Sequence, residues 1–367
     1  VDIFNIKSTM TRVTKVGQYF LHIGFSAESI KRTIKDAQKG MLIVSAIAVG
    51  VGSAIIIVLV SLIIGSLGQI TRDIVAIGEG ELDRYKRMEI RRNDEIGDIA
   101  LSVKEMAMKL EKAQKELVEK ERMKREMEIA KDIQAALLPR GLPQFPGFEL
   151  SAFYQAAREV GGDYYDVLNV DDKHFGLVVA DVSGKSVSGA MMMAVMRTVM
   201  KMKAVGNPSP VDVIAQTNEE IAKDIPEDIF ITTLYIVVNK ETGEIRVCNA
   251  GHNEGLLLTD GELIPLKPDG MPIGIGLVDE KGYREALKEE RRVMKKGDVL
   301  VLFTDGITEA MNELHQEFGE DRFFKVLKEN RMASAREITE AVMKKVREFT
   351  GNIPQSDDIT LVVLKRV

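Results

Sequence analysis

From Gly40 to Thr71 the sequence has no charged residue, and Met41 to Ile64 is a dense run of Ile, Val, Leu, Ala and Gly. A helix needs about 20 such residues to cross the hydrocarbon core of a bilayer. Soluble core helices this long and this uniformly apolar are rare, so residues 41–64 are read as a transmembrane helix. A signal peptide is disfavoured, because 40 residues with a pattern of their own come first. The 367-residue chain is thereby divided into a short leading segment and a long trailing one, with room for two or three domains in all.

The leading segment, residues 1–40, contains a strand-like run from Gln18 to Phe25, then Ser26 as a helix N-cap, then a charged helix. It resembles the last strand and exit helix of a Cache-type extracytoplasmic sensor. Val1 stands where an initiator Met is expected, so the chain is read as part of a longer protein. Basic residues flank the span on both sides (Lys31, Arg32, Lys35 and Lys39 before it; Arg72, Arg84, Lys86 and Arg87 after it), and orientation by positive charge is a draw. The contents of the trailing segment place that side in the cytoplasm, with the span in the cytoplasmic (inner) membrane.

Beyond the span, Ile70, Ile74 and Ile77 mark an amphipathic helix that stops at Gly78-Glu79-Gly80. Asn93-Asp94-Glu95-Ile96-Gly97 opens a second helix. The Gly80-Glu81-Leu82 turn and the Asp94-Glu95-Ile96-Gly97 motif resemble a HAMP domain, assigned to residues 65–117, although the proline expected near its first helix is absent. That resemblance implies a parallel homodimer below the membrane. Ile99, Val103, Met106, Leu110, Ala113 and Leu117 continue as a heptad seam, also suited to a homodimeric coiled coil. The seam breaks over 118–122, and Met123, Met127, Ala130, Ile133 and Leu137 resume it in shifted phase as far as Pro139. Residues 118–140 are read either as a regulatory linker whose rotation carries a signal or as a plain solvated spacer.

A net charge of −6 gives no reason to expect nucleic acid as a partner, and one cysteine excludes a disulfide framework or a thiolate metal site. The four histidines do not pair at zinc spacing. Carboxylates are a different matter. Asp163, Asp181, Asp305 and the Asp357-Asp358 pair each lie where a strand-like run meets a turn. Oxygen ligands suit hard divalent cations, and two such cations side by side can clamp a phosphoryl group.

From about Gly147 strands and helices interleave, with hairpins across Lys240-Glu241-Thr242-Gly243 and on Asp260-Gly261. The pattern reads as an α+β fold of two packed sheets with helices outside. Residues 125–367 resemble the metal-dependent protein phosphatases (PPM) of the SpoIIE/RsbU subgroup. The motifs that carry the resemblance are Asp132-Ile133-Gln134 through Leu138-Pro139, Gly161-Gly162-Asp163-Tyr164-Tyr165-Asp166 and Asp181-Val182-Ser183-Gly184-Lys185. They continue with Asn249-Ala250-Gly251-His252, Gly270-Met271-Pro272-Ile273-Gly274, Thr304-Asp305-Gly306 and Asp357-Asp358-Ile359-Thr360.

The resemblance implies an αββα sandwich over 141–367, two antiparallel sheets flanked by helices, with serine/threonine phosphoprotein phosphatase activity. It implies two divalent cations, Mn²⁺ or Mg²⁺, and a water they activate. By motif the ligands are Asp163, Asp181, the Val182 carbonyl, Asp305 and Asp357. Neighbouring side chains near a strand face opposite ways, so one of Asp357 and Asp358 is expected at the metals, with Asp357 preferred by position. Asp166, Asp358 and Gly306 are placed in support of the ligands, Asp166 alternatively at a third metal. His252 is read as stabilising a turn in preference to protonating the leaving group. Ser186 and Ser188 replace a glycine and a proline common in relatives, and remove no ligand.

The implied substrate is a phosphorylated STAS-type anti-sigma-factor antagonist. The rival reading is a catalytically silent receptor that binds such a partner without hydrolysis; intact aspartates argue against it. A sensor kinase would need a histidine on the helix after HAMP, and residues 98–139 have none. A diguanylate cyclase loop is poorly matched by Gly161-Gly162-Asp163-Tyr164-Tyr165.

Overall fold

The computed structural model describes residues 27–88, 90, 93–139, 141–184, 187–226, 228–276 and 279–367. The Cache-like strand expected at 18–25 lies outside them. The chain divides into two compact units, Val1–Glu119 and Lys120–Val367.

In the first unit, helix α1 (Ala27–Gly78) contains the whole uncharged run. It is the one described helix long and apolar enough to cross a membrane, and the apolar window is exposed throughout. Backbone bonds from Glu79, Gly80 and Glu81 to Val75, Ile77 and Ala76 close the helix end, and Gly80 takes φ 101°, a left-handed conformation natural to glycine. A short 3-10 helix (Leu82–Arg87) follows where only a connector is expected. Helix α2 (Glu95–Leu137) then begins, capped by the Asp94 carboxylate, which accepts from Gly97 N at 3.1 Å. Tyr85 and Met88 from the connector bury against Ala107, with Ile77 and Val103 alongside. Tyr85 donates to Glu111 at 2.6 Å, and Lys115 and Tyr85 together hold the Glu111 carboxyl down to about 2. The division between units falls inside α2, whose helix is unbroken at the phase shift.

The second unit opens with strand β1 (Phe148–Gln155), β2 (Tyr164–Asn169) and β3 (His174–Val182), then helices α3 (Val187–Ala204) and α4 (Pro210–Ile221). Strands β4 (Ile231–Asn239), β5 (Glu244–Ala250), β6 (Gly255–Thr259) and β7 (Glu262–Leu266) follow, then α5 (Glu280–Ala286), β8 (Glu290–Val293) and β9 (Val299–Phe303). Helices α6 (Gly319–Glu329) and α7 (Ala335–Thr350) precede the last strand, β10 (Ile359–Arg366). Two five-stranded antiparallel sheets result, ordered β1-β10-β9-β6-β7 and β2-β3-β4-β5-β8.

Side-chain alternation divides the interior into layers. On β9, Leu300 and Leu302 face the core shared with the other sheet, whereas Val299, Val301 and Phe303 face α6 and α7. Met193, Met196 and Met200 of α3, with Val213 and Ile214 of α4, cover the outer face of the second sheet. This is the expected sandwich of helix, sheet, sheet, helix. Cys248 is fully buried within it, and burial pushes its thiol up to about 12. The turn Asp260-Gly261 takes φ 49° and 87°, as a tight hairpin of this type requires.

Candidate active site

The aspartates gather at one edge because the strands that feed them are neighbours. Asp181 is the penultimate residue of β3, Asp305 follows β9, and Asp357 and Asp358 lead into β10, which pairs with β9. Asp163 precedes β2, which pairs with β3 so that Tyr164 lies opposite Ala180.

A cleft of about 150 Å³ opens there, lined by Asp181, Val182, Asp357 and Asp358 together with Gly162 and Arg158. Asp163 sits deeper and is 2% exposed. Its Oδ2 accepts from the hydroxyls of Thr304 at 2.8 Å and Thr360 at 2.5 Å, one from each of the strand ends that carry Asp305 and the Asp357-Asp358 pair. Burial, and then the Asp181 charge, push the Asp163 carboxyl well above the usual carboxylate range.

The adjacent aspartates have different surroundings. Asp358 is buried and turned toward backbone: Oδ1 accepts from Ala157 N at 2.8 Å, and Oδ2 from Gly162 N at 2.6 Å and Asp163 N at 3.3 Å. Asp357 is half-buried, and its Oδ1 accepts from Asp358 N at 3.0 Å. A Cβ on Gly306 would collide with the Asp358 carbonyl, which is why glycine follows Asp305. Gly162 likewise lies close to the Val182 carbonyl. Ser183 pairs with Phe230 in both directions, Ser183 N to Phe230 O at 2.9 Å and Phe230 N to Ser183 Oγ at 2.8 Å, which fixes the loop beyond Val182.

Asp166 is turned away from this edge. Its Oδ2 accepts from Lys201 at 2.9 Å and Tyr164 at 3.2 Å, so its charge is matched by α3 and it ties that helix to β2. His252 is also withdrawn. Burial pulls its imidazole down to about 4, with Nδ1 accepting from Thr232 at 2.8 Å and Nε2 donating to Phe303 O at 3.2 Å. Asn249 completes the turn, accepting from His252 N at 2.7 Å. A neutral ring held at both nitrogens joins the two sheets, with its one N–H committed to the Phe303 carbonyl.

Sequence reading gave no role to Thr304, Thr360, Gln134 or Tyr154, although the first three fall inside quoted motifs. The hydroxyl of Tyr154 is buried near Asp358 and Asp163 without a hydrogen-bond partner. Among the described residues no three acidic, His or Cys groups already form a coordination sphere. The donor set is nevertheless all hard oxygen, the charges of Asp181 and Asp358 act on the buried Asp163, and the orphaned Tyr154 hydroxyl lies near Asp358 and Asp163. Residues of this kind fit divalent cations.

Residues 171–367 match the family described as Stage II sporulation protein E (SpoIIE). The chain belongs to the SpoIIE family. Residues 58–112 match the HAMP domain. Phosphoserine phosphatase RsbU of Bacillus subtilis is 28% identical over 249 residues, which cover 66% of this chain and 71% of RsbU. Protein IcfG of Synechocystis is 27% identical over 327 residues, 81% of this chain but only 50% of IcfG. The SiaA-PP2C domain of Pseudomonas aeruginosa superposes with a TM-score of 0.58 at 22% identity, over 67% of this chain and 98% of that domain. The second unit is thus a SpoIIE-type domain of PP2C fold, and a HAMP domain with an apolar helix precedes it.

Proposed function

We propose that this chain is a membrane-anchored, signal-regulated phosphatase that hydrolyses phosphoserine or phosphothreonine on a protein. The observation that carries the reading is the division between two neighbours that both line the cleft with Asp181 and Val182: Asp358 is committed to three backbone amides, which supports Asp357 as the ligand. In this reading Asp181, Asp305, Asp357, Oδ1 of Asp163 and the Val182 carbonyl hold two divalent cations, Mg²⁺ or Mn²⁺. When bound, such cations neutralise phosphoryl oxygens and make a water acidic enough to act as nucleophile near neutral pH. The protein's own part is to keep the carboxylates at one strand edge, through Thr304, Thr360 and Asp358. Arg158, the one cation among the described residues lining the cleft, is suited to orient an arriving phosphate.

The proposed substrate is a phosphorylated STAS-type antagonist, the class that the SpoIIE/RsbU resemblance implies; the match to RsbU supports phosphoserine. The apolar run in α1 supports a single span, the phosphatase character of the second unit supports a cytoplasmic place for it, and the HAMP match and the exposed seam on α2 support a homodimer. The test is Mn²⁺-dependent phosphate release from a phosphorylated STAS protein. Asp305→Asn is expected to lower the rate about a hundredfold or more. Equal rates in wild type and variant would refute the metal assignment.

A further inference from the structure

Gln134, in the last turn of α2, forms a reciprocal amide pair with Gly161. Its Nε2 donates to Gly161 O at 2.6 Å, and Gly161 N donates to its Oε1 at 3.0 Å. Paired strand residues exchange bonds in this way, but here one partner is a side chain. Gln134 is 6% exposed, and Leu138, one turn on, is anchored in the main core. Gly161 has no room for a side chain, since a Cβ would collide with the Asp358 carboxylate and the Tyr154 hydroxyl. The next two amides, Gly162 and Asp163, donate to Asp358. The backbone leading to Asp163 is therefore gripped from two elements distant in sequence, the start of β10 and the end of α2.

We propose that Gln134 is a positioning residue for the cation site. By holding Gly161 it sets the backbone from which Asp163 projects, so the last turn of α2 governs cation affinity without touching the cation or the substrate. The inference rests on the metal-dependent reading above. It differs from a packing role because both amide atoms of Gln134 are used and no other described side chain is bonded to the Gly161 backbone.

The test uses the full chain in detergent micelles with Mn²⁺ alone as probe, free ion being followed by electron paramagnetic resonance, and phosphate release measured in parallel. Gln134→Ala is expected to raise the Mn²⁺ Kd about tenfold or more, while the rate at saturating Mn²⁺ stays within about threefold of wild type. Gln134→Glu keeps the acceptor for Gly161 N and loses the donor, so its Kd should fall between the two. An unchanged Kd in folded Gln134→Ala overturns the proposal, as does a lost maximal rate with unchanged Kd. Should Gln134→Ala not fold, Gln134→Glu decides by the same comparison. A wild type that binds Mn²⁺ but releases no phosphate sinks the hydrolase reading, and the Kd comparison still judges Gln134.

Discussion

The two units of this protein solve the problem of apolar surface in opposite ways. In the second, both sheets and helices α3 to α7 enclose two continuous cores, and Phe175, Leu177, Met193 and Leu302 are fully buried. In the first, the buried apolar cluster is Tyr85, Met88 and Ala107, while the seam residues Met106, Leu110 and Leu117 are 70%, 51% and 58% exposed. A unit with so little interior of its own needs cover from outside it, which on the proposed reading is lipid for α1 and a second seam for α2. The difference separates a part whose apolar surface is enclosed within the chain from a part whose apolar surface is left open.

Breaking that contrast is most direct in the closed unit. Phe175 is fully buried between Phe145, stacked at 3.9 Å, and Phe148, edge-on at 5.6 Å. Phe175→Ala is expected to destabilise the second unit by about 3–5 kcal/mol, read as a lowered calorimetric transition in detergent. A loss below about 1 kcal/mol would mean that this core is looser than its packing implies.

Acid offers a somewhat smaller perturbation. His252 is held neutral with its pKa at about 4 against 6.5 for the free side chain, so the unfolded chain binds the proton first as pH falls. The stabilisation is complete above pH 6.5 and lost as pH drops through 4. It amounts to about 3 kcal/mol. His252→Gln carries no titrating ring, and the stability of this variant should fall less steeply over the same window. Identical pH profiles for the two proteins would exclude His252 as a source of acid sensitivity.

The smallest stability effect is expected on α2. Leu117→Ala should cost less than about 0.5 kcal/mol within a single chain, whereas cross-linking between copies through a cysteine placed at Leu110 should weaken if the seam is paired. Undiminished cross-linking in the Leu117→Ala background would argue against pairing through this stripe.

Much of this architecture is written in local patterns. The hairpin on Asp260-Gly261, the Asp94 cap and the buried run of β9 each follow from a few adjacent residues. Strands β1, β2 and β8 and helix α5 do not. β8 reads Glu-Arg-Arg-Val and owes its existence to the β5 edge, and β1 is defined by pairing with β10 some 200 residues away. The aspartates are legible because chemistry restricts their type and turns restrict their place. Their supports are less so. Nothing local tells that Thr304 and Thr360 meet on one oxygen, that Asp166 is matched by Lys201, or that Gln134 reaches Gly161.

Cys248 has a practical consequence. A thiol enclosed in the sandwich and held far from ionisation reacts slowly with alkylating and spin-labelling reagents. These 367 residues therefore behave toward such reagents as if they were cysteine-free. Reporter groups can be introduced singly along α2, or at either end of the apolar run in α1, without first redesigning the interior, and every signal recorded then belongs to the position chosen.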